Sequence, residues 1–63
     1  MKEPGDLTER QRKLHRSVIM AASSTDEQML MVRVMATRLG CSQADVDTVR
    51  DVLLKGHLRE KHS

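Results

Sequence analysis

The chain contains no phenylalanine, tyrosine or tryptophan, and it has one cysteine and one proline. Without aromatic rings, the core must be assembled from aliphatic side chains that each bury less area. The lone Cys41 excludes an internal disulfide, and the three histidines do not have the spacing of a metal site. Domains of about this size usually need a disulfide, a metal or a second subunit. We therefore expect a homodimer.

Long apolar runs are also missing, because Arg33 interrupts the most hydrophobic stretch. We therefore expect no membrane-spanning helix, and the polar residues 1–6 do not resemble a signal-peptide core. A single thiol without such a signal favours a cytoplasmic protein. The formal charge of +2 is compatible with either a nucleic-acid or a protein partner.

No residues form the pairs or loops that catalysis requires. We find no nucleophile with a neighbouring base, no glycine-rich phosphate loop and no acidic metal pair. A chain of 63 residues also has little room for a pocket that excludes water. We expect neither an enzyme nor a cofactor, metal or small-molecule substrate.

The hydrophobic pattern predicts an all-α, compact three-helix domain. Helices are expected at about 7–22, 25–39 and 43–56, within a domain spanning 6–58. Capping signals separate them: Asp6 with Glu9, Ser24 with Glu27, Ser42 with Asp45, and Gly40 at the end of the second helix. Residues 1–5 are expected to be a flexible arm and 59–63 a flexible tail.

The second predicted helix is apolar on two sides. One side is an ordinary core face, formed by Met29, Val32, Met35, Ala36 and Leu39. On the opposite side lie Leu30, Met31 and Val34, which a small monomer would expose to water. We expect these three residues to contact a partner chain. The inner side of the first helix is predicted from Leu14, Val18, Ala21 and Ala22, and that of the third from Val46, Val49, Val52 and Leu53.

The span 35–50 resembles a helix-turn-helix of the bacterial or phage repressor type. That motif requires a small residue where its two helices touch and a glycine in the turn, and Ala36 and Gly40 occupy these positions. The apolar plugs, the cap and the anchors of the second motif helix would be Leu39, Cys41, Ser42, Val46 and Val49. The residues from Leu7 to Arg12 also look like the first-helix start of many winged and response-regulator domains.

The resemblance implies a dimeric DNA-binding transcriptional regulator. Ser42, Gln43 and Thr48 would then reach base edges, while Arg38 and Arg50 would neutralise phosphates.

A second interpretation stays open, because Asp47 and Asp51 lie on the outward face of the would-be recognition helix and repel phosphates. In that interpretation the chain is a small adaptor or inhibitor that binds another regulatory protein through its exposed Leu/Met/Val face, without touching DNA.

Three further features have ordinary explanations. Cys41 occupies a position that suits a small core residue, and the histidines are expected to be solvated. Arg12, Lys13 and Arg16 form a basic stripe on the first helix, which is the best site in the sequence for an anionic partner, although most such stripes are solvated helix faces.

Overall fold

A computed structural model describes the backbone of residues 7–62 and the side chains of residues 7–56. It contains three helices, α1 (Glu9–Ala21), α2 (Thr25–Leu39) and α3 (Gln43–His62), and no strand occurs among residues 7–62. Each helix packs against the other two. The predicted all-α, three-helix domain is thus confirmed. The proposed arm at 1–5 lies outside the described residues, as does Ser63 at the end of the proposed tail.

The start of α1 differs from the prediction. Thr8, rather than Asp6, is the N-cap: the Gln11 N–H donates to Thr8 Oγ1 at 3.2 Å, and the Thr8 N–H donates to Gln11 Oε1 at 3.1 Å. This capping box satisfies two backbone donors that would otherwise be unpaired at the helix end. Consequently α1 begins at Glu9, two residues after the predicted start, and it ends at Ala21.

The bounds of α2 agree with the prediction. Ser24 caps it, with its Oγ accepting from the Glu27 N–H at 3.3 Å. The Gln28 side chain donates to the Ala22 carbonyl at 3.2 Å and closes the turn between α1 and α2. The third helix starts at the predicted Gln43 but continues to His62, beyond the end expected at about 56.

The core lies where the three helices meet, and nearly all of it was predicted. Its buried side chains are Leu7, Leu14, Val18, Ala22, Val32, Ala36, Val46, Val49, Val52 and Leu53. Met29 and Met35 are only partly buried against this cluster, and Ala21 is exposed. Leu39 was expected in the core, yet it is 38% exposed, because it lies in the last turn of α2 at the edge of the packed region.

Candidate nucleic-acid and partner interfaces

The turn between α2 and α3 is formed around a left-handed glycine. Gly40 adopts a left-handed conformation with φ 72°, which glycine reaches without the steric cost of a side chain. The Cys41 N–H then donates to the Ala36 carbonyl at 2.8 Å, and the Gly40 N–H donates to Thr37 at 3.4 Å. These two bonds satisfy two of the last four carbonyls of α2.

The predicted anchors of this turn differ in how far they are buried. Val46 and Val49 are buried and hold α3 on the core, and Ala36 is buried on α2. Cys41 is partly buried and packs against the same cluster. Leu39 does not act as a buried plug, since its side chain is substantially exposed.

A polar link joins the start of α1 to the start of α3. Gln11 is buried, with 7% of its surface exposed, and its Nε2 donates to Asp45 Oδ1 at 2.9 Å. Asp45 Oδ2 accepts from the Ser42 N–H at 3.1 Å, while the Asp45 N–H donates to Ser42 Oγ at 3.3 Å. The bond from Gln11, followed by that from the Ser42 backbone, keeps the pKa of Asp45 below its ordinary value.

This link changes the electrostatics of α3. Asp45 turns toward α1, so that it does not share the outward face with Asp47 and Asp51. The Ser42–Asp45 cap follows from local spacing, whereas the bond from Gln11 to Asp45 does not, because these two residues are 34 positions apart in the chain. A polar residue one turn before Leu14, on the apolar side of α1, was the only signal for it.

The residues predicted to read bases lie in the first two turns of α3 and at its cap. Ser42 and Gln43 are exposed, whereas Thr48 is half-buried. The Gln43 side chain donates to Asp47 Oδ1 at 3.0 Å. Asp51 forms an ion pair with Lys55 at 3.7 Å.

The two predicted phosphate-binding arginines are on different helices. Arg50 is exposed on α3, and Arg38 is exposed in the last turn of α2, four residues after Val34. The structure therefore groups Arg50 with Ser42 and Gln43 on one helix, and Arg38 with the apolar residues of α2.

The proposed interface of α2 contains two exposed residues instead of three. Leu30 is 69% exposed and Val34 is 46% exposed. Met31, in contrast, is partly buried and packs against the core cluster. Met31 was assigned to the outward face from its angular position alone, but its long unbranched side chain reaches back to the core from the flank of the helix.

The basic stripe of α1 is exposed as predicted. Arg12, Lys13 and Arg16 line a shallow groove together with Glu9. A second groove runs beside the turn between α2 and α3, and it is lined by Thr8, Glu9, Arg10, Lys13, Leu39 and Asp45. Its two cations are balanced by two carboxylates, so this groove is not a basic patch.

Burial shifts the pKa of Cys41 and that of His15 in opposite directions. Desolvation raises the pKa of the Cys41 thiol, and the nearby Asp45 carboxylate adds to the effect. Burial lowers the pKa of His15, because the charged imidazolium loses hydration. Among the described residues, no group of three histidine, cysteine or carboxylate side chains is arranged to hold a metal ion. Within the same part of the chain, no helix is long and apolar enough to cross a membrane.

The surfaces of these helices are the basis on which a function can be inferred. Comparison with known proteins found no family, no curated protein and no solved structure that matches this chain.

Proposed function

We propose that this chain is a small helix-turn-helix regulatory protein that binds duplex DNA with the first two turns of α3. The observation that carries this proposal is the unit formed by α2, the turn and α3. Gly40 is left-handed, the Cys41 N–H bonds to Ala36, and Val46 and Val49 hold α3 on the core. This packing leaves the N-terminal end of α3 at the surface, which is the end that recognition helices insert into the major groove.

The exposed groups at this end suit DNA. A glutamine amide can bond the N6 and N7 atoms of adenine, so Gln43 is the main candidate for base recognition. The Ser42 hydroxyl accepts from the Asp45 N–H and still has its own proton to donate. Arg50 extends from the same helix and supplies a charge for the phosphate backbone.

The carboxylates of α3 oppose this function less than their number suggests. Asp45 bonds to Gln11 and Ser42, and Asp51 is paired with Lys55. Asp47 is left on the outward face, where it accepts from Gln43. A carboxylate in this position can accept a hydrogen bond from the N4 amino group of cytosine, so that Asp47 would contribute to sequence preference rather than to general affinity.

The test is a comparison of two arginine variants. Arg50→Gln removes a cation from α3, and Arg33→Gln removes an exposed cation from α2. Affinity for a random-sequence duplex is measured by fluorescence anisotropy over a series of salt concentrations. We expect Arg50→Gln to weaken binding and to reduce the log–log salt slope by about 0.9, the value of one phosphate contact. Arg33→Gln should leave both quantities near those of the wild type.

Equal effects of the two variants would mean that binding depends on net charge and not on α3. Circular dichroism spectra provide the folding control, since both arginines are exposed and neither substitution removes a core contact.

A second function is favoured by the exposure of Leu30 and Val34 on α2. In that case the chain binds another regulatory protein through this face and does not contact DNA. This alternative predicts no duplex binding at low salt. It also predicts that one stoichiometric protein is captured from the source cell by the wild type but not by the Leu30→Lys variant.

A further inference from the structure

The outward face of α2 carries charges as well as its apolar residues. Glu27, Leu30, Val34 and Arg38 follow one another at intervals of three, four and four residues, which places them along one side of a helix. All four side chains are exposed. We call them the α2 face. Acidic and basic groups thus lie at opposite ends of this face, with the two apolar groups between them.

This arrangement is complementary to itself. The pair Leu30 and Val34 and the pair Glu27 and Arg38 are centred on the same turn of α2. When two such helices lie antiparallel about a twofold axis through that turn, Leu30 of each meets Val34 of the other. The same rotation brings each Glu27 opposite the Arg38 of the second copy. Within one chain, Glu27 and Arg38 are about 16 Å apart along the helix.

We propose that the α2 face is the interface between two copies of this chain, packed antiparallel about a twofold axis. A foreign partner would need a matching pattern of its own, whereas a second copy already has it. The apolar centre is covered, and two ion pairs flank it. This assignment places Arg38 at the dimer interface rather than on phosphate, and it does not depend on DNA binding.

The first test is the solution mass of an apolar-to-charged variant. The chain has a mass of 7.2 kDa, and sedimentation equilibrium of the wild type should give twice this value. Leu30→Lys should raise the dimer Kd at least about a hundredfold, since it buries an unpaired charge at the centre of the interface. Leu54→Lys makes the same change at a leucine of α3 that is 42% exposed, and it should remain dimeric.

The second test exchanges the charges. Glu27→Arg and Arg38→Glu should each raise the dimer Kd about tenfold, because like charges replace both ion pairs. The double variant carrying both changes should return to the wild-type Kd, since the pairs are restored with reversed sign. Arg12→Glu, on the exposed side of α1, is the control and should leave the Kd unchanged. Circular dichroism confirms that each variant keeps its helices.

A wild-type chain that stays at 7.2 kDa at high concentration would overturn the proposal. Failure of the double variant to recover would overturn it as well, since only pairing between identical faces is restored by a swap within one chain. Neither result would affect the measured affinity for duplex DNA, so the two proposals fail separately.

Discussion

Replacing Gly40 by alanine should destabilise the protein, although a methyl group at this position meets no neighbouring atom within 4 Å. The cause is the backbone conformation. Gly40 has φ 72°, and a residue with a side chain is destabilised by about 1–2 kcal/mol in this left-handed region. Alanine also restricts the conformations of the unfolded chain, which offsets about 0.4–1 kcal/mol of this destabilisation. The net loss in the free energy of unfolding should be about 1 kcal/mol, or about 4–8 °C in the melting temperature.

Gly56 is the matched control for this substitution. It lies within α3 and is exposed, and an added Cβ again meets nothing within 4 Å. Its backbone is helical, so alanine should stabilise α3 by up to about 1 kcal/mol. The same substitution by alanine, in equally open space, should therefore lower the free energy of unfolding at Gly40 and raise it at Gly56.

Urea unfolding followed by far-ultraviolet circular dichroism measures both effects. The chain has no aromatic side chain for fluorescence detection, but its helices give a strong dichroic signal. A Gly40→Ala variant as stable as the wild type would refute the left-handed turn, and with it the geometry that directs α3. The double variant should fall near the wild type, because the two glycines share no contact and their effects should add.

Two further predictions concern the core and the response to pH. Leu14→Ala removes a fully buried side chain and should lower the free energy of unfolding by about 2–5 kcal/mol. Leu54→Ala, on the exposed side of α3, should lower it by less than about 1 kcal/mol. Comparable urea midpoints for the two variants would contradict the assigned core. Burial lowers the pKa of His15 below its ordinary value of 6.5, so that on acidification the unfolded chain binds the proton before the folded chain does. The free energy of unfolding should therefore fall as the pH drops through about 6.5 toward the folded pKa. His15→Gln should reduce this loss, and an unchanged pH profile would show that the imidazole is not desolvated. His57 and His62 are present in both proteins and cancel in the comparison.

Local signals predicted much of this fold. Ser24, Gly40 and the Ser42–Asp45 pair act within four residues, and each has the predicted role at its helix end. The inward faces of α1 and α3 also follow from periodicity. Short-range chemistry and helical spacing are properties of the sequence alone, so they can be read without knowledge of how the helices pack.

The start of α1 shows where local signals become ambiguous. Asp6 with Glu9 and Thr8 with Gln11 have the same capping spacing, so that spacing alone gives two possible helix starts, although only the second pair has the residue types of the capping box. The structure uses the second pair, and the bond from Gln11 to Asp45 stabilises that choice from the other side of the domain. Such a partner becomes visible only when the helices are placed in three dimensions.

The outward face of α2 shows a different limit. Met31 and Leu30 are adjacent in sequence and both were assigned to the surface, but only Leu30 is exposed. A helical wheel records the direction of Cβ, while the thioether of Met31 extends several bonds further and packs on the core. Leu39 shows the opposite deviation. It lies on the inward side of α2 by its angular position, but its side chain is exposed because it is at the edge of the packed region.

The central claim is that the N-terminal turns of α3 bind DNA, and its most direct test is a titration of a random-sequence duplex at increasing salt with the wild-type chain and with Arg50→Gln. The proposal predicts measurable binding at low salt, and a binding constant that falls linearly on log–log axes with a slope of about −0.9 for each phosphate contact. The slope of Arg50→Gln should be smaller in magnitude by about 0.9. No binding at low salt, or an affinity that does not change with salt, would contradict it.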